Sequence, residues 1–168
     1  MYLVVQDWCI YLATAEKALN YIQLNELAVV SVGGCPGHNI VVWGAFHSLG
    51  DLYFDQGKLQ EAEEMYQRAL AGKEKALGSD HMSTLQTVNN IGNLYTDQGK
   101  LQEAEEMYQR ALAGKEKALG SDHTSTLDTV NNLVILYSDQ GKQQEAEEMF
   151  QRALAGCEKT LDPDHNRT

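Results

Sequence analysis

The sequence predicts an all-α fold of stacked antiparallel helix pairs, and three observations carry that prediction. Residues 58–81 recur letter for letter as residues 100–123, a period of 42, and a third copy begins at Lys142. Over the full period, residues 58–99 and 100–141 differ at six positions. Within each copy, two stretches with apolar residues at helical spacing are separated by glycine-bearing turns. A repeat of this size is one supersecondary unit that cannot bury its apolar face alone, so neighbouring units must stack.

Residues 1–39 lie outside the period. Trp8, Tyr11, Leu12, Ala15, Leu19 and Ile22 recur at helical spacing and predict a helix over 6–27, covering the first pair as an N-terminal cap. Gly33-Gly34-Cys35-Pro36-Gly37 reads as a loop. The array then runs over 40–168, with helix pairs near 43–77, 85–119 and 127–161 and the start of a truncated repeat after them. In the central pair, Leu85, Val88, Ile91, Leu94 and Tyr95 form the apolar stripe of the first helix, with Ser83 or Thr84 as N-cap. Gly99 suits the left-handed position that ends it. Glu103, Glu105 and Glu106 open the second helix at its positive dipole end, and Gly120-Ser121-Asp122 closes it. Gly92 and Ala104 are small where bulk would force the two helices apart. The short turn between them requires antiparallel packing.

Composition narrows the function. With 168 residues and a formal charge of −11, the chain lacks the clustered Lys and Arg that nucleic-acid binding needs. No apolar run is long enough to span a bilayer, and no basic-then-apolar leader is visible, so no membrane partner is expected. Cys9, Cys35 and Cys157 are odd in number and share no metal-ligand spacing, which points to reduced thiols and a cytoplasmic setting.

The pattern Gly92, Tyr95, Gly99, Ala104, Tyr108, Ala111 resembles the tetratricopeptide repeat. The 42-residue period is similar to the longer form found in kinesin light chains and nephrocystin-like proteins. The stretch LGSDHTSTLDTVNNLVILYSDQGK is similar to C-terminal arrays of fungal NACHT or NB-ARC proteins. The resemblance implies a right-handed superhelical solenoid that binds proteins or peptides, and in a fungal receptor a sensing or recruiting arm.

On that reading, the face of each first helix opposite the core lines a concave groove. Its candidate peptide-binding residues are Ser48 and Asp51 in the first pair, Gln86, Asn89, Asn90 and Asn93 in the second, and Asp128, Asn131, Asn132 and Ile135 in the third. An asparagine amide both donates and accepts, so it can pair with the backbone of an extended peptide. The resemblance singles out Asn90 and Asn132, with Asn93 one turn on. His47, Asp128 and Asn132 stand where carboxylate-clamping members carry cations. An internal segment with basic residues is therefore the expected partner, with Phe54 and Ile135 open to apolar side chains. Ile135 reads equally as drift, and Val134 reads as drift.

Other chemical signals are weak. His81, His123 and His165 follow aspartates at repeat spacing and read as loop and capping residues, not zinc ligands. Gly33 to Gly37 lacks the Gly-Lys-Ser/Thr of a phosphate loop. His47, Ser48 and Asp51 share a helix without oxyanion donors. No catalysis, cofactor or metal is expected. The rival to a binding module is a spacer that self-associates as a homo-oligomer through its exposed ends.

Overall fold

The computed structural model describes residues 36–161. These form six helices: α1 (Pro36–Asp55), α2 (Leu59–Leu77), α3 (Met82–Asp97), α4 (Leu101–Leu119), α5 (Thr124–Asp139) and α6 (Gln143–Leu161). The three expected pairs are α1/α2, α3/α4 and α5/α6. The predicted helix over 6–27 and the segment 162–168 lie outside the described residues.

Two differences from the sequence reading have local causes. Pro36 and Gly37 belong to α1 and not to a loop. Proline suits the first helical position, where its missing N–H costs nothing. The N-cap of α3 is His81, not Ser83 or Thr84. His81 is extended (ψ 138°) and its Nδ1 accepts the Ser83 N–H at 3.1 Å. His123 does the same for Ser125 at 3.1 Å. Thr84 instead reaches back, donating its hydroxyl to the Gly78 carbonyl at 2.9 Å and tying the cap to the end of α2.

The turn inside each pair ends its first helix in the same way. Gly99 takes φ 73°. Gly99 N–H then bonds the Thr96 carbonyl at 2.9 Å, and Lys100 N–H the Tyr95 carbonyl at 2.8 Å. This is the paired closure that satisfies terminal carbonyls, and only glycine adopts its backbone without strain. The following helix is rich in strong helix formers, with Glu103 in its first turn and Lys117 in its last, both matched to the dipole.

The core is continuous across the pairs. Ala62 and Tyr66 of α2 cluster with Ile91 and Leu94 of α3. Ala104, Tyr108 and Leu112 of α4 cluster with Val130, Leu133, Leu136 and Tyr137 of α5 and Ala146 of α6. Each fully buried Leu or Ile contributes about 1.5–3 kcal/mol, so much of one pair's stabilisation depends on its neighbour. Close backbone approach sets the spacing within a pair. A β-carbon on Gly114 would lie 2.5 Å from Leu85 Cδ2. The first helices also touch one another directly, α1 on α3 and α3 on α5. That contact creates the strip on which the candidate residues meet.

Candidate functional site

The strip is built from hydrogen bonds between successive first helices. Asp51 Oδ1 accepts from Asn90 Nδ2 at 2.9 Å and from the Tyr66 hydroxyl at 2.7 Å. One period later, Asn93 Oδ1 accepts from Asn132 Nδ2 at 3.2 Å and from the Tyr108 hydroxyl at 2.8 Å. Four of the expected residues, Asp51, Asn90, Asn93 and Asn132, are thus brought together in two linked pairs. Asn90 also accepts from Gln86 Nε2 at 3.1 Å. Burial pushes the Tyr66 hydroxyl well above its ordinary range, and the Asp51 carboxylate adds to the effect. It therefore remains a donor.

Asn89 does not line this strip. It is 6% exposed, and its Oδ1 accepts the Thr129 hydroxyl at 2.9 Å across the α3–α5 contact. A shift of one residue turns a side chain about 100° around a helix, and that turn separates Asn89 from Asn90. Asn131, its equivalent in α5, is exposed. Ser48, Gln86, Asp128 and Ile135 are exposed as expected. Phe54 instead packs against the cluster between the first two pairs.

Behind the strip runs a second set of bonds that sequence reading missed. Lys73 and Lys115 are 4% and 1% exposed. Lys73 Nζ donates to the Ser83 carbonyl at 3.2 Å and to Thr87 Oγ1 at 2.9 Å. Lys115 repeats this with Ser125 at 3.1 Å and Thr129 at 2.8 Å. Burial lowers both lysine pKa values, against the pull of Asp51 and Asp128 respectively. The available signal was the period itself: Lys73 and Lys115 become Cys157 in the third copy, an odd change for a solvated surface lysine.

In the first junction His47 takes the place of Asn89. Its Nδ1 lies 3.0 Å from Thr87 Oγ1, and its Nε2 lies 3.7 Å from Asp51 Oδ2. If Thr87 donates as Thr129 does, His47 carries its proton on Nε2, toward Asp51. Burial lowers the His47 pKa; Asp51 opposes this and Lys73 reinforces it.

A rim of carboxylates completes each junction. Glu63 accepts from Gln98 Nε2 at 2.9 Å and Lys100 Nζ at 3.1 Å, and Glu105 from Gln140 at 3.2 Å and Lys142 at 2.7 Å. Burial alone would raise both carboxyls. The hydrogen bonds and ammonium charges outweigh it and hold them below their usual value. Arg110 pairs with Glu74, and Arg152 with Glu116. Among the described residues, no group of three or more His, Cys, Asp or Glu could hold a metal ion. No helix there is long and apolar enough to cross a membrane.

The sequence model of the tetratricopeptide repeat matches residues 44–117 and again 85–159, more than half of the chain. The chain belongs to the tetratricopeptide-repeat family. Such repeats form protein-interaction modules, not enzymes. Crystal structures share the fold. The putative kinesin light chain of Podosopora anserina, with nearly identical TPR-like repeats, gives a TM-score of 0.64 at 28% identity, over 88% of this chain and 70% of that one. BtubC (BKLC) from P. vanneervenii gives 0.75 at 22% identity, over 89% and 58%. In sequence, a nucleotide-binding leucine-rich repeat (NLR)-like protein of Hyaloscypha variabilis is 46% identical over 43 residues. That match covers 26% of this chain and spans only 4% of the relative.

Proposed function

We propose that this tetratricopeptide array holds an extended segment of a partner protein along α1, α3 and α5. The observation that carries the reading is the strip Asp51, Asn90, Asn93 and Asn132. Its amides are fixed in place by bonds between helices, so little ordering remains when a ligand arrives. Each asparagine that donates one N–H to its neighbour keeps a second N–H for a peptide carbonyl. Exposed Ser48, Gln86, Asp128 and Asn131 flank the strip. Asp51 and Asp128 favour basic side chains in the ligand, and Ile135, 51% exposed, gives an apolar side chain a seat. The match to the NLR-like protein supports a place as the recruiting arm of a larger cytoplasmic signalling protein.

The test is to pan a random peptide library over three folded proteins: the parent, Gln86→Arg/Asp128→Arg, and Glu64→Arg. Gln86, Asp128 and Glu64 are all exposed, and Glu64 lies on α2, away from the strip. Peptides rich in basic residues should be enriched by the parent and the Glu64 variant and lost with the double variant. Equal enrichment by all three sinks the reading.

A further inference from the structure

The two internal junctions use one set of bonds, and the period allows the outer faces of the array to be read against them. On the trailing face of the third pair, Glu147 stands where Glu63 and Glu105 stand, and it is exposed. On the leading face of the first pair, Gln56 and Lys58 stand where Gln98 and Lys100 stand. Gln98 and Gln140 reach the carboxylate of the preceding pair, and so do Lys100 and Lys142. One outer face therefore offers an exposed carboxylate, Glu147, and the other an exposed ammonium, Lys58.

The centre of the junction has changed on both faces together. Lys73 and Lys115 are replaced by Cys157 on the trailing face. Their partners Thr87 and Thr129 are replaced by Ala45 on the leading face. A buried lysine against alanine would lack its acceptor, and a threonine against cysteine would lack its donor, either of which is costly. Small apolar against small apolar costs neither. Exposed Leu154 on the trailing face, and exposed Ile40 and Val41 on α1, extend the apolar character of the two faces.

We infer that the trailing face of α5/α6 receives the leading face of α1/α2 from a second copy of this chain, in the place where the sequence alone predicts the 6–27 helix as a cap. The occupant is argued from continuity with the two internal junctions, from the Glu147 to Lys58 complementarity, and from the matched loss of lysine and threonine. Such a head-to-tail contact does not close on itself, so it builds open arrays. It lacks the lysine bonds of the internal junctions and their threonine contacts, to His47 in the first and Asn89 in the second, so it forms reversibly with concentration. It does not depend on peptide binding along the strip.

Sedimentation velocity of the full chain tests it. Mass should rise with concentration beyond two copies of 18.7 kDa. Glu147→Lys and Lys58→Glu should each stay monomeric, and mixing the two should restore association, because every contact in the mixture again joins opposite charges. Cys157→Lys should weaken association at least tenfold, and adding Ala45→Thr should recover it, with helicity and Tm unchanged. A parent that remains monomeric would overturn the inference. A dimer plateau that Glu147→Lys abolishes and Lys58→Glu leaves intact would also overturn it, since that is tail-to-tail pairing.

Discussion

The ring of Tyr108 lies against the backbone of Gly92, so near that a β-carbon there would sit 2.6 Å from its Cε1. Tyr66 packs on Gly50 in the same way, with 2.5 Å to its Cδ1. In the third pair these positions are Val134 and Phe150, and Phe150 is 51% exposed where Tyr108 is 3% exposed. Val134 puts a branched side chain where the glycine admits the ring, and no described helix pair follows to cover Phe150 as α5 covers Tyr108. The hydroxyl has gone from residue 150 together with its acceptor, because Ile135 replaces the asparagine seen at Asn93. Three changes thus remove one packing arrangement and leave no orphaned polar group. Gly92→Val alone should therefore expel Tyr108, leave Asn93 with only its bond from Asn132, and cost about 1–3 kcal/mol. Urea unfolding checks this; a midpoint within error of the parent would contradict it.

The repeat pattern made most of the fold legible, since the helix pairs, the turn at Gly99 and the close approach at Gly92 all follow from spacing and residue size. The candidate face was legible only in part. Period and hydropathy separate apolar from polar positions, but they do not distinguish a polar residue facing water from one facing the next repeat. Asn89 and Asn90 look alike in sequence, yet one is sealed against Thr129 and the other borders the strip. Lys73 and Lys115 look solvated for the same reason, although a neighbouring helix covers them.

Asn89 and Asn131 are a matched pair for measuring that difference. They occupy the same position of successive repeats, buried in one and exposed in the other. Asn89→Ala removes the acceptor of a buried hydroxyl and should destabilise by about 1–3 kcal/mol. Asn131→Ala should stay within about 0.5 kcal/mol of the parent. Chemical denaturation of the two variants gives the comparison, and equal losses would mean that Thr129 finds another partner at no cost.

Lys115 tests what the buried ammonium adds. Its partners, the Ser125 carbonyl and the Thr129 hydroxyl, are neutral, so removing the charge strands no opposite charge. Lys115→Met keeps the stem and ends the desolvation of the ammonium, whereas Lys115→Ala also opens a cavity. The alanine variant should lose about 2–4 kcal/mol, and methionine should recover at least half of that. If methionine proves as damaging as alanine, the ammonium bonds and not the packing hold the junction.

His47 gives the first junction a pH dependence that the second lacks. Burial lowers its pKa below the ordinary 6.5, Asp51 pulling the other way and Lys73 adding to the shift. The folded chain therefore prefers the neutral ring, while the unfolded chain takes up a proton near 6.5. The stability contributed by neutral His47 is fully present above that pH, falls as pH drops through 6.5 toward the folded value, and levels off below it. Glu63 and Glu105 act in a separate window: held below 4.5, they contribute above that pH and lose their contribution as pH falls beneath it. His47→Asn installs the residue found at position 89 and carries no proton in either window. Unfolding free energies measured between about pH 7 and 5 should slope downward more steeply for the parent than for this variant, while both share the loss in the carboxylate range. Parallel curves between those limits would show that the parent ring protonates in place, with Thr87 turning its hydroxyl to the Ser83 carbonyl 3.1 Å away.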